Sequence, residues 1–358
     1  MRNTILDNLN VVRRVAVAAT MGLTLGLAHA ESVHADSEKL LVFTTIPDWS
    51  SLAAEIGGDE VEASSMVFGR EDPHFSEARP SFVKKLSQAD VFISTGLEME
   101  VGYLGPMLTN ARNPQVMFGQ PGNLVAASAV TPLRPQGNLV ITRAMGDIHA
   151  AGNPHFNLDP LGGLAVARLI RDRFSQLRPA KADYFAERYT RFEQRMGEKL
   201  VGKALNDKYN GAKLAELTRS GRLESFLKSQ GDFELLAGWL GQMAPYRGTK
   251  VVDDHPMWQY FAQIMGIEVV GNLERVPGVQ PSTSHMKMII DMMRAQDIDI
   301  LIKSPYYDPR FSRFVQEETG ATLVELAHQV GSLEGADDYI SMMDVNVRNL
   351  SAALSAKD

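Results

Sequence analysis

Gly152-Asn153-Pro154-His155-Phe156-Asn157-Leu158-Asp159-Pro160 divides two kinds of sequence. Before it, short apolar runs alternate with helical ones; behind it begins a long stretch of helical period. A proline disfavours helix in the residue that precedes it, so the Asn-Pro and Asp-Pro pairs predict a loop around His155. A single loop histidine is ordinarily a solvated polar side chain. Whether His155 does more depends on partners elsewhere in the chain.

Working outward, residues 40–45 are β-branched and apolar and predict a buried strand, with a helix over 49–56 stopped by Gly57-Gly58. Residues 61–67 and 91–95 predict further strands, with a helix over 82–89 between them. After Pro160, Leu164, Ala167, Ile170, Phe174 and Leu177 recur at spacings of three and four. Beyond Pro179, Phe185, Tyr189, Phe192, Met196 and Leu200 continue that period, which predicts a helix over about 180–207. Short helices and loops are expected over 208–247. Strand and helix then alternate again, with strands expected over 250–254, 267–271, 298–302 and 322–326 and helices over 258–265, 285–293, 310–320 and 339–354. Alternation of this kind implies mostly parallel sheets with flanking helices, and ligands at the carboxyl ends of the strands. The expected fold class is α/β in two lobes, 37–178 and 208–358, joined by the long helix.

At 358 residues and 44% hydrophobic, the chain has enough apolar material for two such lobes. A net charge of −7 and no basic stripe argue against nucleic acid as the partner. Arg2, Arg13 and Arg14 precede an apolar run over 15–27, and Ala28-His29-Ala30 has the form of a cleavage site, so residues 1–30 are expected to be a signal peptide, with Ala35 as a second candidate cut. There is no cysteine, hence no disulfide and no thiol for a lipid anchor. An exported, unanchored monomer of the periplasm is expected.

The chain has eight histidines, of which His29 and His34 lie in or beside the targeting segment. His74, His155, His255 and His328 each stand in a loop beside a predicted strand or helix, two in each lobe. Convergence of these imidazoles on the cleft would suit a borderline-soft cation such as zinc. Spacings of roughly 70 to 100 residues form no short ligand motif, so each is equally able to cap a helix or fill a turn.

An ordered series of motifs bears on that choice. It runs through Glu71-Asp72-Pro73-His74, Ala89-Asp90-Val91, Gly96-Leu97-Glu98, Gly152-Asn153-Pro154-His155, Leu158-Asp159-Pro160 and Gly238-Trp239-Leu240-Gly241. It continues with Val251-Val252, His255, Trp258, Pro277-Gly278, Pro281-Ser282, Glu318-Thr319-Gly320-Ala321 and Asp338-Tyr339. In this the mature chain resembles the solute-binding proteins of ABC importers for zinc and manganese, the cluster A-I group. The resemblance implies two α/β lobes bridged by one rigid helix, modest lobe movement, a metal held between the lobes, and an ABC permease in the inner membrane as partner. It places His74, His155 and His255 on the family's histidine ligand positions. The family's fourth position, usually an aspartate three residues before a glycine, is here His328, counted back from Gly331. The fourth donor is thus expected to be His328, with Glu71, Asp72 or water as alternatives. A nitrogen-rich set favours Zn2+ over Mn2+, and affinity should fall below about pH 6.5 as imidazoles protonate.

The mobile histidine-rich loop of many zinc-specific members has no counterpart in 105–145, which contains no histidine. His149 is expected to be a solvated loop side chain or an auxiliary capture residue, and His285 a helix-capping or packing residue. Met286, Met288, Met292 and Met293 keep helical spacing and are expected to fill core rather than bind copper. Two other functions compete with metal transport. A zinc hydrolase, with three histidines and a water on the metal and Glu71 or Asp72 as base, lacks any paired-carboxylate or nucleophile signature. An adhesin on the same fold lacks the anchor cysteine.

Overall fold

Among the described residues, eight strands form two all-parallel four-stranded sheets. The computed structural model describes residues 39–134, 149–274 and 279–356. The expected signal segment, part of the histidine-free stretch and Pro277-Gly278 lie outside these. The first sheet has the order β2-β1-β3-β4, made of β1 (Leu40–Thr44), β2 (Val61–Ser65), β3 (Val91–Ser94) and β4 (Asn123–Val125). The second has the order β6-β5-β7-β8, made of β5 (Lys250–Asp253), β6 (Glu268–Asn272), β7 (Ile300–Lys303) and β8 (Thr322–Glu325). Each sheet therefore has its first strand inside, and the loops leaving β1 and β5 open near the sheet's middle. The expected strands are present; β4, three residues long, carries too little pattern to be read from sequence.

Helix α1 (Pro47–Gly57) begins with Pro47, whose fixed φ suits a first helical turn. It buries Trp49, Leu52, Ala53 and Ile56. The helices over Pro80–Gln88 (α2) and Leu104–Ala111 (α3) pack together on the other face of the sheet. Helix α4 (Pro160–Leu177) starts where the Asp159 carboxylate accepts the Leu161 N–H, so Asp159-Pro160 is cap and first turn together. A Cβ at Gly163 would lie 2.3 Å from the Tyr339 ring. That close approach lets the Tyr339 hydroxyl reach the carbonyls of Asn157, 2.8 Å, and Asp159, 2.9 Å. The C-terminal helix Tyr339–Ser355 is thereby tied to the loop that carries His155.

Helix α5 (Ala182–Val201) buries the expected stripe Phe185, Tyr189, Phe192, Met196 and Leu200. It packs on α1 and α4 at one side and on the helices Gly211–Arg219 and Gly238–Met243 at the other. It ends at Val201 rather than near 207. Gly202 turns with φ 86°, and a side chain there would meet the Ala237 Cβ at 2.6 Å, so the chain breaks and resumes as the helix Lys203–Tyr209.

One apolar cluster runs through both lobes, from Leu40 and Trp49 through Phe156, Phe174 and Phe192 to Trp239, Trp258 and Leu354. Smaller clusters lie outside each sheet, and Met286 and Met293 fill the one on the second lobe, while Met288 is exposed. Direct bonds also join the lobes: Asp48 accepts the Val330 N–H, and the Gln329 amide donates to the Gly69 and Glu71 carbonyls. No described helix is long and apolar enough to cross a membrane.

Candidate metal centre

Two loops reach the cleft by the same local device. In Asp72-Pro73-His74, the Asp72 Oδ1 accepts both the His74 backbone N–H, 2.9 Å, and its Nδ1, 3.0 Å. In Asn153-Pro154-His155, the Asn153 Oδ1 accepts the His155 N–H, 2.9 Å, and its Nδ1, 2.8 Å. Each is a short turn closed by an Asx side chain. Each also settles the tautomer: Nδ1 donates, and Nε2 keeps the lone pair. His255 stands two residues beyond β5, and its Nδ1 is held by the Glu274 carboxylate at 2.6 Å, with the Tyr307 hydroxyl 3.0 Å away.

These elements bring four rings together. Ring centroids lie 5.1 Å apart for His74 and His155, 5.3 Å for His155 and His255, and 5.9 Å for His74 and His255. The fourth ring is His149, 5.3 Å from His74 and 6.3 Å from His155. Its Nε2 lies 3.3 Å from the His74 Nε2. Two nitrogens bound at about 2.0–2.1 Å to one tetrahedral zinc stand about 3.3 Å apart, so this spacing matches one edge of such a shell. His155 Nε2 is buried and has no hydrogen-bond partner. Leaving a buried acceptor unsatisfied costs about 1–3 kcal/mol, which a bound cation would relieve. As the side chains stand, no three of the described residues form a finished ion-holding group. Small ring rotations would be needed to close the rings on one ion.

His149 corrects an expectation. It is 8% exposed rather than solvated, and it belongs to the ring cluster. The only sequence signal was its place six residues before His155. His328 lies near enough to act on His155 through its charge, and its Nδ1 is likewise buried without a partner, but its described contacts are different. Its ring packs on Tyr306 at 4.6 Å, and its Nε2 meets the Glu71 carbonyl at 3.3 Å. The Glu71 carboxylate is turned outward, accepting the Phe68 N–H and pairing with Arg79 at 3.5 Å. Asp72 serves His74 as described. Ser282 caps the helix, its Oγ accepting the His285 N–H, and His285 itself packs, the second of its two expected roles, its buried ring meeting the Asn272 carbonyl through Nε2. Glu274 and Tyr307 carried no motif and were not anticipated.

Burial keeps the His149 and His155 rings neutral. Burial, reinforced by the field of His74 and His255, pushes the His149 imidazole down to about 3. The same causes, with His149 and His328 added, hold His155 well below the usual histidine range. Burial lowers His328 to about 4, against the opposing pull of the Glu71 carbonyl. Burial alone would push the Asp72 carboxyl up, but the hydrogen bonds and charge of His74 outweigh it and leave it below its ordinary value. Neutral imidazoles are the form that binds metal, so His149 and His155 have no proton to lose on loading.

The family of the zinc-uptake complex component A, periplasmic (ZnuA), matches residues 42–202 and 234–353. Among curated proteins, the manganese ABC transporter substrate-binding lipoprotein PsaA of Streptococcus pneumoniae is 21% identical over 347 residues, covering 95% of this chain and 96% of its own. The manganese-binding lipoprotein MntA of Halalkalibacterium halodurans is 21% identical, with 89% and 90% covered. Among solved structures, a ZnuA crystal structure superposes with a TM-score of 0.64 at 19% identity, covering 88% of this chain and 99% of that one. The solute-binding protein FpvC of Pseudomonas aeruginosa, solved with Ni2+, gives 0.63 at 19% identity, with 90% and 98% covered. The two-sheet arrangement is shared with both.

Proposed function

This chain belongs to the ZnuA family of periplasmic zinc-uptake components, and from that membership we propose that it captures a divalent metal, zinc by preference, and delivers it to an ABC permease. It is a solute-binding component and not an enzyme, so the hydrolase alternative falls away. The ligands are His74, His155 and His255, and the fourth nitrogen comes from His149 in place of the expected His328. The observation that carries this reading is the His155 Nε2, buried without a partner among three other imidazoles.

Zinc follows from the donor set. Relatives are named for manganese, and one neighbour was solved with nickel. Four imidazoles without a carboxylate donor suit tetrahedral zinc, whereas manganese favours carboxylate oxygens and nickel a square-planar geometry. The protein works as a monomer in the periplasm. The apolar cluster common to both lobes limits their opening, so release requires the docked permease to part them locally around the rings.

Competitive titration of the mature protein with zinc, manganese and nickel against a chromophoric chelator tests this. Zinc should be held most tightly. A preference for manganese would overturn the metal assignment, and failure to bind any of the three would overturn the whole reading.

A further inference from the structure

Four neutral imidazoles bring no charge, so a divalent ion held only by them leaves two positive charges in a buried site. Uncompensated buried charge is costly. Two carboxylates stand directly behind ligand rings: Asp72 behind His74 and Glu274 behind His255. Behind His155 stands the neutral amide of Asn153. From this juxtaposition we propose that Glu274, acting through His255, is the positioning and charge-compensating residue that sets the affinity of the site, with Asp72 as its counterpart through His74. The inference rests on the reading of His74, His149, His155 and His255 as ligands.

Glu274 is built for this. It is 5% exposed, and its backbone N–H donates to the carbonyl of Asp254, the residue before His255, at 3.0 Å. Carboxylate and ligand are therefore pinned by one backbone bond across neighbouring strand ends. The 2.6 Å contact from His255 Nδ1 to Glu274 Oε2 is at the short end for a nitrogen donor to a carboxylate. The Tyr307 hydroxyl also hydrogen-bonds Glu274, so two donors converge on the same carboxylate and hold it against the ring. A carboxylate accepting from Nδ1 fixes the ring's direction and enriches electron density at Nε2, the atom that would meet the metal. Together the two carboxylates supply the two negative charges that the ligand shell lacks.

The test uses Glu274→Gln and Glu274→Ala in the full mature chain, read by competitive zinc titration and by the visible spectrum of the Co2+-loaded protein. Glutamine keeps an acceptor for Nδ1 and removes the charge; alanine removes both. Zinc affinity should fall roughly 10- to 100-fold in each. The tetrahedral cobalt bands should persist in Glu274→Gln and shift in Glu274→Ala. Wild-type zinc affinity in Glu274→Gln would overturn the charge role. An unchanged cobalt spectrum in Glu274→Ala would overturn the positioning role. Should Glu274→Gln fail to fold, Asp72→Asn makes the same test of charge at His74, with a similar loss expected and wild-type affinity refuting it. Absence of tetrahedral cobalt bands in the wild-type protein is a separate outcome, which would overturn the four-histidine shell itself.

Discussion

Replacing His149 by alanine should weaken zinc binding, while replacing His328 should not. Structural zinc sites in small peptides bind with about 10–16 kcal/mol at neutral pH, so each of four donors accounts for about 3 kcal/mol. Water entering the vacated position recovers part of that, leaving a loss of roughly 2 kcal/mol, or about 30-fold in Kd. The structure places this loss at His149 because its Nε2 lies 3.3 Å from that of His74, at the edge length of a tetrahedral shell. On the proposed shell His328 has a different duty. Its ring packs on Tyr306 and its Nε2 meets the Glu71 carbonyl, so its removal loosens the junction between the lobes. His328→Ala should lower folding stability by about 1–3 kcal/mol, from a lost buried contact, and leave zinc affinity within about threefold. Parallel chelator-competition titrations and thermal unfolding of the two variants separate these effects. A larger loss of affinity in His328→Ala than in His149→Ala would refute the choice of fourth ligand.

Two further outcomes follow from the surroundings of the rings. Asn153→Ala removes the acceptor that holds His155 Nδ1 and should cost about 10- to 100-fold in zinc affinity, measured by the same titration, with the fold retained by circular dichroism. Asp48 is buried between Asn157 and the Val330 N–H, and burial raises its carboxyl to about 7 despite those two bonds. A folded pKa above the unfolded one means that the native state holds the proton more tightly. The stability it contributes is therefore complete below about pH 4 and is lost as pH rises through 7, by up to about 4 kcal/mol. Asp48→Asn should flatten the slope of unfolding free energy between those pH values in denaturant titrations; an unchanged slope would show that Asp48 does not titrate there.

Much of this protein is written in short-range pattern. The strands over Leu40–Thr44 and Ile300–Lys303 are runs of buried apolar residues, and the stripe Phe185 to Leu200 repeats at helical spacing because one helix face must be covered. Asp72-Pro73-His74 and Asn153-Pro154-His155 are equally local: an Asx oxygen, a proline and a backbone N–H two residues on suffice to hold each ring. So two of the four clustered histidines, His74 and His155, were recognisable as loop residues aimed by their neighbours, and the ordered motifs resembled those of a metal-binding family. The broken helix at Gly202 was less legible, since its reason is the approach of Ala237 from another segment.

The loop at 152–160 thus had its form determined by sequence alone: Asn153 and Pro154 turn the chain, and Asp159-Pro160 start the helix. Its function was decided only in three dimensions. His74 and His255 meet His155 from different lobes, and no spacing along the chain encodes that distance. The same holds for the fourth nitrogen. Counting back from Gly331 selects His328, yet side chains are placed by the packing around them: the His328 ring meets Tyr306 and the Glu71 carbonyl, while His149 lies against His74. Glu274 belongs to the same class, a carboxylate without a motif, brought behind His255 because β5 and β6 are neighbours in a parallel sheet. Turns and periods are properties of adjacent residues; a ligand shell is a property of the surfaces that folding brings together.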